Sequence, residues 1–346
     1  MTPLIAATGR LFGLMLVGLL PFIALAVVLG WQDVSKIAIY GFFVALLATL
    51  LSGIRTGMAL ATAFAGLAAA GVACHGAALG IAAIVGLSAA LVPIFGRLGS
   101  LQAGIFAAMF VPSTFNPPPQ PWAGVVATSW EFTAAVAALS LLGAIWGLTI
   151  AWALRRRMPP LPPGTRLDVP VAVIAGILVV LVASGVTFVS INVFPQSKWS
   201  WLLTAIYSMM MAAAGMTWRS SWDLVGGTLV GVLAAIAVVQ FDHSITLMML
   251  VGSLLLSTSI GLRVVGKPAW LAISLSTAGV VLLTGTGMDP VLAAEDRLAY
   301  TVAGAVIAVA LGATISFAVR LLVPRMGAEG PPTRGTGSGH GFDEPE

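Results

Sequence analysis

The chain has 346 residues, of which 59% are hydrophobic and only 8% charged, and its mean hydropathy is +1.05. An ordinary soluble domain is roughly one quarter charged, so this composition excludes a soluble enzyme. The formal net charge of +4 is small for the length, and no basic stripe interleaved with aromatics provides a nucleic-acid face.

In chain order, the apolar segments fall near 11–30, 37–53, 57–74, 77–95, 99–112, 125–154, 169–192, 199–217, 224–240, 245–262, 269–285 and 298–323. The expected fold is therefore all-α and polytopic, with twelve transmembrane helices. Twelve spans of about 20 residues leave about 106 for connections and tails, so the polar parts are short. The first segment, Leu11 to Gly30, is longer than a secretory h-region and no small-residue cleavage site follows it, which reads as a retained span. Segments 77–95 and 99–112 lie so close together that one of them being partly re-entrant is the alternative. The single cysteine, Cys74, makes no internal disulfide and has no second thiolate for a metal site.

The basic residues test this count independently of hydropathy. With a cytoplasmic N-terminus, 13 of the 16 Lys and Arg fall inside, and only Lys36, Lys198 and Arg297 fall outside. That bias follows the positive-inside rule and places both termini in the cytoplasm. The strongest boundary is the inside connector from Arg155 to Asp168, whose prolines interrupt any continuous helix and whose arginines face lipid phosphates. It divides the chain into a first six-helix half (1–157), a cytoplasmic linker (158–168), a second six-helix half (169–325) and a disordered cytoplasmic tail (326–346).

The halves share a weak internal repeat. Arg55 and Arg219 are 164 residues apart, as are Glu131 and Glu295, while Arg97 and Arg263 are 166 apart. An even number of spans per half makes the two copies parallel, related by an axis along the membrane normal, with a pathway between them.

Ionisable groups near the hydrocarbon carry the functional expectations, because such charges need water, a partner or a task. Arg55 and Arg219 at inner helix ends either anchor topology or hold the carboxylate of an organic anion with guanidinium donors. Asp223, four residues after Arg219, can orient it, and Trp218 offers an aromatic face to a ring. These four form the candidate substrate pathway. Glu131 and Glu295 are candidates for proton coupling, or else an interfacial helix-start charge and part of a wet turn with Asp296 and Arg297. Trp31, Trp122, Trp130, Trp199 and Trp201 near outer ends read as an aromatic belt. Val111 to Trp122, with five prolines, reads as a rigid outer loop or an adaptor contact. His75, His243 and His340 are too scattered for a metal cluster, and no phosphate-binding loop or nucleophile elbow is present. No cofactor, metal or catalytic residue is therefore expected, and the chain is not read as an enzyme.

The segment Ser197 to Val239 opens with Trp201-Leu-Leu-Thr204, carries Arg219 at an inner turn and continues into Gly227-Thr-Leu-Val-Gly231. This resembles the membrane repeat of the fusaric acid resistance and aromatic acid exporter superfamily. Glu295 to Gly312 is similar to that family's final repeat helix, and the match in the first half rests mainly on Leu50 to Gly57. The resemblance implies an inner-membrane exporter of small organic anions, aromatic carboxylates above all, driven by protons. It also implies a periplasmic adaptor and an outer-membrane channel as partners where the source has two membranes. Related plant anion channels imply passive conduction as the alternative, and a non-transporting envelope scaffold is a third reading. Membrane lipids surround the chain, and a homodimer is compatible with its small-residue surfaces.

Overall fold

The computed structural model describes residues 2–31, 33–155, 166–194, 199–212, 218–241, 251–252, 254–255, 258–259, 262, 268–284 and 290–322. Every regular element among them is an α-helix. The helices are α1 (Thr2–Leu29), α2 (Asp33–Ser52), α3 (Ile54–Ala73), α4 (Ala78–Arg97), α5 (Leu101–Phe115), α6 (Trp130–Arg155), α7 (Val169–Val193), α8 (Trp199–Ala212), α9 (Trp218–Phe241), α10 (Ala269–Thr284) and α11 (Pro290–Leu322). Between α9 and α10, the described residues from Val251 to Leu262 are also helical. Among the described residues, six segments are long and apolar enough to cross a membrane: α2, α3, α4, α6, α7 and Leu298–Val319 of α11. α5 is a shorter apolar helix, about 22 Å long at 1.5 Å per residue.

Local sequence sets the breaks. α2 and α3 are separated by one residue, Gly53, at φ 101 and ψ 166, a backbone conformation that only glycine adopts without strain. α7 opens with Asp168 in an extended conformation and a proline in its first turn, where the missing N–H costs no intrahelical bond.

Within the first half, α6 packs along α2 and α3, and α3 packs on α5. Glycine lets α2 and α6 touch backbone to backbone. A Cβ added at Gly143 would land on the carbonyl oxygen of Ala38, one at Gly41 on that of Ser140 and one at Gly147 on that of Phe42. Later in the chain, α11 packs on α8 and α9, and α9 on α10. One contact recurs at the sequence offset itself. Gly304 faces the Cβ of Ala205, and these two residues stand 164 positions after Ser140 and Gly41. Where no neighbour crowds a glycine the expectation reverses. Gly185 on α7 has open space around its missing Cβ, so Gly185→Ala should stabilise by about 0.5–1 kcal/mol, read as a higher melting temperature in detergent.

The two halves meet along α4 against α7 and α5 against α8. Gly86 admits the Ser184 side chain, Gly176 receives Pro93, and the largest apolar cluster runs across the seam, from α2 and α3 to α8 and α11.

Three expectations change. Val111–Phe115, read as loop, completes α5, and the Pro-rich connection begins at Asn116. Glu295, Asp296 and Arg297, read as a wet turn, lie within α11, which starts eight residues before its apolar span. The outer tryptophans do not form a belt: Trp31, Trp199 and Trp201 are buried, and Trp130 alone of the five is largely exposed, at 75%. Arg156–Thr165 of the connector and the expected disordered tail lie outside the described residues.

Candidate functional site

The charges separate by end. At one end, Arg55 is exposed in the first turn of α3, and the Arg155 guanidinium at the close of α6 lies beside Gly53. Arg97 finishes α4 at the same end, where its Nη1 donates to the Leu167 carbonyl at 2.9 Å while the Leu167 N–H donates to Gly96. An arginine read as a topology anchor thus also fastens the entry of α7 to the first half.

The opposite end is closed by the Pro-rich strap. Trp31 Nε1 donates to the Gln120 carbonyl at 2.6 Å, Lys36 Nζ to the Pro117 carbonyl at 2.7 Å, and the Gln120 N–H to Asp33 Oδ2 at 2.7 Å. Trp31, Trp122 and Phe132 form an aromatic cluster under it, with centroids 4.9–5.9 Å apart. On its other flank the strap reaches the second half: the Ser200 N–H and hydroxyl donate to Asn116 Oδ1 and to its carbonyl at 3.2 and 3.1 Å. The strap's backbone groups lie outside any helix, and side chains at and just before the start of α2 pair three of them: the Gln120 and Pro117 carbonyls and the Gln120 N–H. Burial of Trp31 follows from this duty, which a reading of tryptophan as an interfacial residue missed.

Of the pathway candidates, Arg219 and Trp218 occupy the first turn of α9, the same place in their helix that Arg55 holds in α3. The side chains of Arg219 and Trp218 lie outside the described residues, so the Arg219–Asp223 pair is not described, while Asp223 is half-buried. Among the described residues α3 and α9 do not pack along one another, so the two arginines mark separate helix starts. Glu131 is exposed in the first turn of α6. Because Arg155 ends that helix beside Gly53, Glu131 stands about 36 Å along the axis from the Arg55 end. The structure therefore does not bring Glu131 and Arg55 into one cluster. Glu295 is helical in α11, with its side chain outside the described residues. Among the described residues no His, Cys, Asp and Glu group suits a metal ion.

Sequence reasoning passed over a different set. Thr49 Oγ1, Ser140 Oγ and the Tyr207 hydroxyl are buried without a hydrogen-bond partner among the described residues. The Thr49 hydroxyl faces Gly57, and the Ser140 backbone faces Gly41, across close helix contacts that small residues permit. Tyr207 has no such explanation.

Comparison with known proteins fits the helical architecture. Residues 182–311 match the family model described as fusaric acid resistance protein-like. The matched stretch runs from within α7 into α11, and it contains the Trp201, Arg219 and Gly227 text that carries the resemblance. Searches of curated proteins and of solved structures gave no match. The family match supports a multi-pass membrane protein with a role in membrane transport or efflux.

Proposed function

We propose that the protein exports small organic anions, aromatic carboxylates in particular, across the inner membrane through a pathway between two parallel six-helix repeats, with the proton gradient as driving force. The observation that carries this reading is the family match over residues 182–311 in a chain with helices long and apolar enough to cross a membrane. Two further features support it. The recurrence of the Gly41–Ser140 contact as Ala205–Gly304 favours duplicated halves. The gathering of Arg55, Arg97 and Arg155 at one end, against a strap end where Lys36 is the one basic side chain among the described residues, favours a cytoplasmic face that draws anions in. Glu131 and Glu295 are the proposed proton-coupling groups, and the strap face is the proposed contact for a periplasmic adaptor.

Inverted membrane vesicles test the reading. Vesicles containing the protein should accumulate aromatic carboxylates when a proton gradient is imposed, and vesicles without it should not. Transport that continues unchanged after gradient and potential are both collapsed removes proton coupling and leaves passive conduction.

A further inference from the structure

Tyr207 is the largest fully buried side chain among the described residues, with 0% exposure. It sits in the apolar cluster built from both halves, and its hydroxyl has no partner among the described residues. An unpaired buried hydroxyl costs about 1–3 kcal/mol. The ring itself does not need the hydroxyl. At the repeat offset of 164, its counterpart is Phe43 on α2, which stacks on Phe110 with centroids 6.2 Å apart. An aromatic ring without oxygen therefore serves the corresponding place in the first half, and the second half carries the phenol at a penalty.

Its location gives that penalty a purpose. α8 begins at Trp199, beside the strap, and Tyr207 lies eight residues on, about 12 Å along the helix axis. With the hydrocarbon boundary taken at the start of α8, this is close to the middle of a core about 30 Å thick. α8 is also the helix that meets α5 of the other half. Mid-depth at the seam between repeats is where transporters built from repeats place their substrate sites.

We infer that the Tyr207 hydroxyl is a hydrogen-bond donor to the organic anion at mid-depth between the halves, an inference that rests on the transport reading above. A neutral donor suits this place. It makes a charge-assisted bond to a carboxylate when α5 and α8 part, yet leaves no uncompensated cation in the apolar seam when they close. Arg55 and Arg219 gather the anion at one end, and Tyr207 receives it deeper in the protein.

Tyr207→Phe deletes only the oxygen. In proteoliposomes, the variant should fold with a melting temperature equal to or above that of wild type, because an unpaired buried hydroxyl is gone. Its transport efficiency for carboxylates should fall about tenfold, mainly through a higher apparent KM. A second measurement reads access directly. Cys74 is the single cysteine, so Cys74→Ser with Tyr207→Cys presents one thiol. A charged thiol reagent should modify it faster while benzoate is being transported than without benzoate. Wild-type transport with an indifferent Tyr207→Phe variant, or a thiol that stays unreactive during turnover, overturns the inference alone. So does a loss of rate that merely follows a loss of folded protein. A wild-type protein that moves no anion overturns the transport reading and this inference with it.

Discussion

Gly143→Leu should cost about 3 kcal/mol or more and lower the yield of folded protein in detergent by an order of magnitude or more. The residue lies where α6 crosses α2, and its missing Cβ would coincide with the Ala38 carbonyl oxygen. Backbone cannot yield as a flexible side chain can, so the helices must separate. Separation also strips the neighbouring contacts at Gly41 and Gly147, which face Ser140 and Phe42 carbonyls on the same crossing. Gly304→Leu should act in the same direction through α8, because Gly304 faces Ala205 and the Leu202 carbonyl. Size-exclusion profiles and thermal unfolding of the purified variants check both. A Gly143→Leu protein that melts with wild type would contradict the close crossing.

The second large effect is on transport. A carboxylate entering a low-dielectric pathway loses hydration, and a guanidinium with two parallel donors offsets part of that loss. Arg219→Gln keeps much of the side-chain volume but removes charge and fork, and should lower transport efficiency by about ten- to a hundredfold, the worth of a charged hydrogen bond. Arg219→Lys restores charge without planar geometry and should recover only part of the rate. Arg55→Gln should reduce transport in the same sense, since Arg55 is exposed in the corresponding first helical turn. Trp218→Ala should penalise aromatic acids more than aliphatic ones. Initial rates across a substrate series, corrected for folded protein, decide it: wild-type rates and affinities in both glutamine variants would return the two arginines to topology anchors.

Hydropathy made much of the helical layout legible, because a membrane span needs about 20 apolar residues and leaves a long, regular signal. Helix ends were less legible. Val111–Phe115 looked like loop because prolines follow it, yet Pro112 sits inside α5. Glu295 looked like turn because of its charged neighbours, yet α11 extends beyond its apolar part as far as Pro290. Hydropathy cannot mark where a helix continues past the hydrocarbon. The placing of Arg55, Arg97 and Arg155 at helix ends was legible, since ionisable residues are rare in this chain. Tyr207 was not, because a tyrosine in an apolar run reads as core until its hydroxyl is seen to lack a partner. The fastening of the strap by Trp31, Asp33 and Lys36 depends on contacts 81–89 residues apart, and nothing local in the sequence signals them.

Purified protein reconstituted in liposomes, with labelled benzoate supplied on the face that bears Arg55 and a proton gradient imposed, tests anion export most directly. The account predicts benzoate accumulation on the strap side above its equilibrium level, abolished when the gradient is collapsed and diminished in Arg219→Gln. Folded, reconstituted protein that moves neither benzoate nor any other organic anion would contradict it.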